Sequence, residues 1–188
     1  FFIIVFAMFK VGAVPVVVDP GMGIDRMVQC LHQGRAKAFI GIEKAHVLRR
    51  LKPGYFKNIT HWVTVGRRWF WGGHTLKQIL SGNRQDFGHA RTTKDETAAI
   101  VFTTGSTGPA KGVVYTHGNF TAQIQQIQTH WNIGSDEIDL PTFPLFALFD
   151  PALGMTAVIP DMDPTRPARA HPEKIIEAIE NHGVTNMF

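Results

Sequence analysis

The sequence predicts an α/β fold, a mostly parallel sheet covered by helices, and three observations carry that prediction. Segments of strand character alternate with segments of helical periodicity along the chain, the order that builds parallel sheets. The run "VPVVVD" (Val14–Asp19) is apolar without alternation, which suits a strand covered on both faces. No fixed-period repeat interrupts this order, so nothing points to a solenoid.

Taken in order, Phe1–Phe9 reads as a buried helix ending near Gly12, and the valine strand follows it. Ile24, Met27, Val28 and Leu31 recur at i, i+3, i+4 and i+7, one helical face that Gly34 can terminate. Ala36–Ile42 is a short strand, and Val47, Leu48 and Leu51 mark a short helix stopped by Pro53-Gly54. Ile59–Val65 is rich in β-branched and aromatic residues and reads as a strand. Gly66–Thr93 mixes Gly, Trp, Arg and Asn, a surface excursion with a short helix from Thr75 to Leu80. Ala98–Phe102 is the next strand. Asn119 can then N-cap a helix carrying Phe120, Ile124, Ile127 and Trp131 on one face. Asp139–Gly154 is apolar and interrupted by proline. The last helix has Pro172 in its first turn, Ile175, Ile176 and Ile179 inward, and Gly183 after its end. "VTNMF" closes the sequence as one more strand.

Bulk properties exclude several classes. The 188 residues are 44% hydrophobic and 18% charged, the composition of a folded globular chain. The net charge of +4 is mild, and no basic run exceeds Arg49-Arg50 and Arg67-Arg68, so nucleic acid is not an expected partner. The lone cysteine, Cys30, lies on the apolar side of a helical pattern and reads as a small core residue. With no second thiol, no intrachain disulfide can form, which fits a reducing cytoplasmic setting. The opening apolar run is too short to cross a bilayer and is broken by Lys10. No basic segment precedes it, so a signal peptide is not expected either. The chain opens without Met inside a hydrophobic segment, and reads as a fragment.

The stretch "FTTGSTGPAKGVVYTHGNF" (Phe102–Phe120) carries the functional signal. Gly105, Gly108 and Gly112 let backbone approach a ligand without Cβ interference, and successive N–H groups in such a turn converge on an anion. Thr103, Thr104, Ser106, Thr107 and Thr116 supply hydroxyls. Lys111 adds a positive charge. Together they suit a polyphosphate. A flexible Gly/Ser/Thr linker would leave Pro109, Lys111 and the flanking apolar segments unexplained. A Walker A loop needs Gly-Lys followed by Ser or Thr, whereas the order here is Lys111-Gly112. "GMGIDR" (Gly21–Arg26) offers Arg26 where a dinucleotide fingerprint needs its third glycine, and fits a helix start with Asp25 in the first turn.

Thr103–Val113 followed by Thr116-His117-Gly118-Asn119 resembles the phosphate loop of the adenylate-forming superfamily, whose pattern is roughly [ST]-[ST]-G-[ST]-[ST]-G-x-P-K-G-V and then T-H-x-N. Pro109 sits one place early and Ala110 takes its usual position, while glycines, hydroxyls and lysine keep register. Upstream, "FKVGAVPVVVDP" (Phe9–Pro20) resembles the family's "KAGAxxVPLDP" segment. The resemblance covers essentially the whole chain and implies that residues 1–188 are part of the AMP-binding N-terminal domain, cut at both ends and without the C-terminal domain. Within the superfamily, "LPTFPLFALFDPALGMTAVIPDMDPTRPARA" (Leu140–Ala170) looks like the β-lactone synthetases of long-chain olefin biosynthesis. Ala147 stands where many acyl-CoA synthetases carry a histidine after a "PLF" triplet, so no histidine role is carried over.

The resemblance implies ATP and Mg2+ as cofactors and a long-chain, β-hydroxylated fatty acid as substrate, with other enzymes of the olefin pathway as partners. The acid attacks the α-phosphate and pyrophosphate leaves. The β-hydroxyl then attacks the acyl carbon, closing a four-membered ring as AMP departs; in a fatty-acyl-CoA synthetase an external thiol attacks and displaces AMP instead. Thr103, Thr104, Gly105, Ser106, Thr107, Gly108, Lys111 and Gly112 are the expected phosphate-binding residues, with Lys111 also neutralising charge on departing pyrophosphate. Phe146 and Ala147 are candidate pocket residues, although Phe143, Phe146 and Phe149 could equally be packed core. His117 reads as a turn residue, and the nine histidines show no H-x-x-x-H spacing, so no metal ligand is named. The fragment alone is expected to be inactive. A non-catalytic nucleotide-binding module and a nicotinamide-linked oxidoreductase using "GMGIDR" stay open as alternatives.

Overall fold

The computed structural model describes residues 1–82, 87–103, 110–143, 145–163 and 166–187, leaving aside the side chains of Pro20 and Thr103. The chain divides into two compact units, one of Val5–Arg91 with Thr97–Tyr115, the other of Phe1–Ile4, Thr92–Glu96 and Thr116–Phe188.

Along the chain the first unit takes in most of α1 (Phe2–Lys10), then β1 (Val16–Val18), α2 (Ile24–Gln33), β2 (Ala38–Ile42), α3 (Glu43–Leu51), β3 (His61–Val65), β4 (His74–Thr75), α4 (Leu76–Ser81), β5 (Thr97–Thr103) and β6 (Lys111–Thr116). The strands form two three-stranded sheets, ordered β1-β5-β6 and β2-β3-β4. β1 and β5 run parallel with Val16 opposite Ile100 and Val18 opposite Phe102. β2 and β3 are also parallel, as are β3 and β4. The expected α/β order with parallel strands is present, distributed over separate sheets.

The amphipathic pattern of α2 explains its position. Cys30 joins Met22 and Phe102 in a core that Val16, Val18, Met27, Ile100 and Ala110 complete. Val28 joins Phe56 and Ile59 in a second core, with Leu31, Phe39 and Trp62 packed on it. One helix thus seeds both cores, and each large apolar side chain so buried contributes about 1.5–3 kcal/mol. Cys30 Sγ touches Met22 Sδ at 3.6 Å, and burial pushes its thiol pKa up. It is an inert packed group.

The Gly66–Thr93 segment is more than a surface excursion. Trp71 is 2% exposed, its ring lies parallel to that of His46, and its Nε1 donates to Thr64 Oγ1 at 3.0 Å. A large apolar ring that can also donate one hydrogen bond is drawn inward when an acceptor such as Thr64 is already buried.

The second unit contains α5 (His117–Trp131), β7 (Ile138–Leu140), a 3-10 turn at Phe146–Leu148, α6 (Asp150–Leu153), β8 (Thr156–Ala157), α7 (Pro172–His182) and β9 (Asn186–Met187). Its sheet is ordered β8-β7-β9, parallel throughout, with Asp139 opposite both Ala157 and Asn186. Leu140, Leu153 and Met155 are buried beside it. Two of the expected inward residues are not inward: Trp131 is 69% and Ile176 52% exposed. Trp131 is the last residue of α5, next to left-handed Asn132, beyond the stretch that α6 covers. Ile176 lies about 100° around the helix from Ile175, whereas Ile175 and Ile179 share a face and are half-buried.

Candidate active site

β1 and β5 are parallel, so Val18 and Phe102 bring their carboxyl ends to one edge of the sheet. Ligands of parallel sheets sit beyond that edge, and the glycine-rich segment leaves from it. Thr103 is the last residue of β5 and Lys111 the first of β6, the strand hydrogen-bonded beside it. Lys111 is exposed. Thr104, Gly105, Ser106, Thr107 and Gly108 lie outside the described residues.

Gly112 follows Lys111 for a reason that packing supplies. A Cβ built there would meet Phe102 Cε1 and Cζ at 3.2 Å and Ile100 Cγ2 at 3.3 Å. A bare backbone lets β6 lie on the buried Phe102 ring, and so sets where the lysine leaves the strand.

The start of α5 corrects the sequence reading. Thr116, not Asn119, is the N-cap, and Asn119 is the third helical residue of a capping box. Asn119 N–H donates to Thr116 Oγ1 at 3.1 Å, and Thr116 N–H donates to Asn119 Oδ1 at 2.9 Å. Both residue types cap, but only an arrangement with Thr116 outside the helix satisfies two otherwise unpaired donors. His117 N–H donates to Glu96 O at 3.1 Å and Gly118 N–H to Lys94 O at 2.8 Å. A Cβ on Gly118 would fall 2.9 Å from that Lys94 oxygen, so the glycine is required by close approach. His117 is thus the first residue of α5, anchored through its backbone N–H.

In the second unit, Phe146 opens the 3-10 turn at 37% exposure, its ring edge-on to Phe143 at 5.5 Å. Ala147 is buried at 3%. Phe149 meets Phe120 of α5 at 6.0 Å. Sequence reasoning passed over two buried acids here, Asp139 at 6% and Asp150 at 3% exposure. Burial raises the proton affinity of both, and the charge of Asp139 adds to the effect at Asp150, whose pKa is pushed up to about 6. The Leu140 N–H bonded to Asp139 partly offsets its own shift. A single acid inside the apolar run "FALFDPALG" was the available signal.

No group of three or more His, Cys, Asp or Glu side chains among the described residues is arranged to hold a metal ion. No helix among them is long and apolar enough to cross a membrane.

The chain belongs to the AMP-binding enzyme family, whose sequence profile matches residues 1–188. It is 51% identical over 189 residues to an olefin beta-lactone synthetase of Stenotrophomonas maltophilia (strain K279a), covering 100% of this chain and 34% of that protein. It is 50% identical to the protein of the same name from Xanthomonas campestris pv. campestris, with the same coverage. The chain thus spans about a third of the length of these curated relatives. The crystal structure of an anthranilate CoA ligase in complex with anthranoyl-AMP matches with TM-score 0.82 at 16% identity, over 97% of this chain and 36% of that one. The fold is therefore that of part of the N-terminal domain of adenylate-forming enzymes.

Proposed function

We infer that the chain is part of the AMP-binding N-terminal domain of an enzyme that uses ATP to activate a long-chain β-hydroxy fatty acid as its acyl-adenylate, releasing pyrophosphate, and then closes a β-lactone. The observation that carries the activation step is the connector from Thr103 to Lys111, which leaves the carboxyl edge of a parallel strand pair and returns through an exposed lysine. In this reading the loop amides and the hydroxyls of Thr103, Thr104, Ser106 and Thr107 bind the β- and γ-phosphates, with Gly105, Gly108 and Gly112 allowing close approach. Lys111 stabilises the charge that develops on the leaving pyrophosphate. Phe146 and Ala147 line the acyl site. Mg2+ accompanies ATP in this chemistry, but the described residues present no cluster that fits it, and no step is assigned to it. Lactone closure draws support from the names of relatives about half identical over the whole chain. The tethered hydroxyl then needs no second binding event. Reaction in the cytoplasm, alongside other enzymes of olefin synthesis, follows from the same reading.

The test is carboxylate-dependent exchange of labelled pyrophosphate into ATP by the full-length protein. Exchange with a long-chain acid supports activation; ATP binding without exchange would leave only a nucleotide-binding module. Product analysis with and without coenzyme A then separates a lactone from a thioester.

A further inference from the structure

Two buried side-chain oxygens in the described residues have no hydrogen-bond partner, Asp150 Oδ2 and Gln123 Oε1. Both are acceptors, and they lie on the two helices that meet where Phe120 packs on Phe149. Gln123 follows Phe120 by one turn of α5, and Asp150 directly follows Phe149. Buried acceptors in folded proteins nearly always have donors, and these two lack one in the same neighbourhood. Ala147 and Asp150 are three residues apart on a continuous helical path, which places them on one face. Each is 3% exposed. A methyl group thus lies on the same face as a carboxylate whose Oδ2 has no donor, in the stretch assigned above to the acyl chain.

We propose that Asp150 accepts a hydrogen bond from the hydroxyl of a hydroxylated acyl chain and so sets a preference for hydroxy acids over plain fatty acids. This deepens the substrate reading above and rests on it. A hydroxyl provides the missing donor, and a plain chain leaves the carboxylate unpaired, which is the strongest form of discrimination a pocket can apply. Asp139 of β7 is the charged neighbour acting on Asp150. The elements packed on α6, namely the Phe146–Leu148 turn, β8 and α5, carry no other titratable side chains than His117 and His130.

The experiment uses full-length enzyme, wild type and the Asp150→Leu and Asp150→Asn variants. Pyrophosphate release is measured with a 3-hydroxy long-chain acid and with the acid of equal length lacking the hydroxyl. Asp150→Leu should lower the preference, as a ratio of kcat/KM values, by about tenfold or more, with the hydroxy acid losing and the plain acid gaining. Asp150→Asn keeps the shape but not the charged acceptor, and should retain only part of the preference, as the wild type does with its carboxyl protonated. An unchanged ratio in Asp150→Leu, or equal loss on both acids, overturns the proposal. Should the leucine variant not fold, the pH profile decides. The wild-type preference should rise through an ionisation at about 6 that Asp150→Asn lacks, and coincident profiles overturn the proposal. A wild type that releases no pyrophosphate with either acid overturns the activation reading itself, a result distinct from lost discrimination.

Discussion

The imidazole of His46 lies flat on the indole of Trp71, with ring centroids 5.6 Å apart and planes 8° from parallel. His46 is fully buried. Its Nε2 lies 3.1 Å from Val63 O and must donate to it. That leaves Nδ1 as acceptor for Arg49 Nη1 at 3.4 Å, while the Arg49 guanidinium rests 3.7 Å from the Trp62 ring centroid. Only the neutral tautomer satisfies this arrangement, and burial holds the pKa of His46 below its ordinary value.

A pH dependence follows. A base whose folded pKa lies below its unfolded value binds fewer protons when folded. Stability is therefore full above the ordinary histidine pKa of about 6.5, and falls as acidification passes that value toward the folded pKa. Urea midpoints of the full-length protein should decline below that pH, and His46→Phe should flatten this part of the curve.

Asp150 gives the opposite sign. Its folded pKa of about 6 exceeds the unfolded 3.8, so its stabilising share is present below the unfolded value and lost as pH rises through the folded one. Asp150→Asn should therefore be more stable than wild type at neutral pH, with the difference shrinking toward pH 4. Thermal melts across that range check it, and a less stable asparagine variant at neutral pH would contradict it.

Lys111 is exposed at the start of β6, so its removal should leave the fold intact. Losing one charge-assisted contact costs about 1.5–3 kcal/mol, which is about tenfold or more in rate. Lys111→Ala in the full-length enzyme should slow pyrophosphate exchange by that factor with an unchanged melting temperature. Full exchange activity would remove the lysine from the site.

At the helix start, Thr116→Ala removes the cap from α5 and should cost about 1 kcal/mol in chemical denaturation. Asn119→Ala should cost less, because Thr116 Oγ1 can still accept from the backbone N–H at position 119. Equal losses would show that the two side chains act as one unit.

Much of this was legible in the chain because periodicity reports burial. Met27, Val28 and Leu31 did mark a core helix, although Ile24 at its start is 58% exposed, and the Gly/Ser/Thr segment did fall between neighbouring strands. Cap placement was not legible, since Thr116 and Asn119 are both good caps and only the backbone shows which stands outside the helix. Nor was the depth of Trp71, which rests on the fold bringing its ring onto His46, 25 residues earlier, and its Nε1 onto the buried Thr64 hydroxyl. Gly112 and Gly118 serve close approaches to Phe102 and to Lys94, requirements that tertiary neighbours impose. Asp139 and Asp150 evaded notice because a local window treats an acid as a surface residue. Within the loop, Thr104, Gly105, Ser106, Thr107 and Gly108 stand on their sequence pattern alone.

The bond from His117 N–H to Glu96 O clasps the two ends of the excursion that carries the glycine-rich segment. Everything between Thr97 and Thr116 departs and rejoins at one knot. Lengthening such a closed excursion costs only a logarithmic entropy term, so extra residues at its tip would leave the start of α5 seated on Lys94 and Glu96. Evolution, or an engineer, can retune the tip without rebuilding its anchorage.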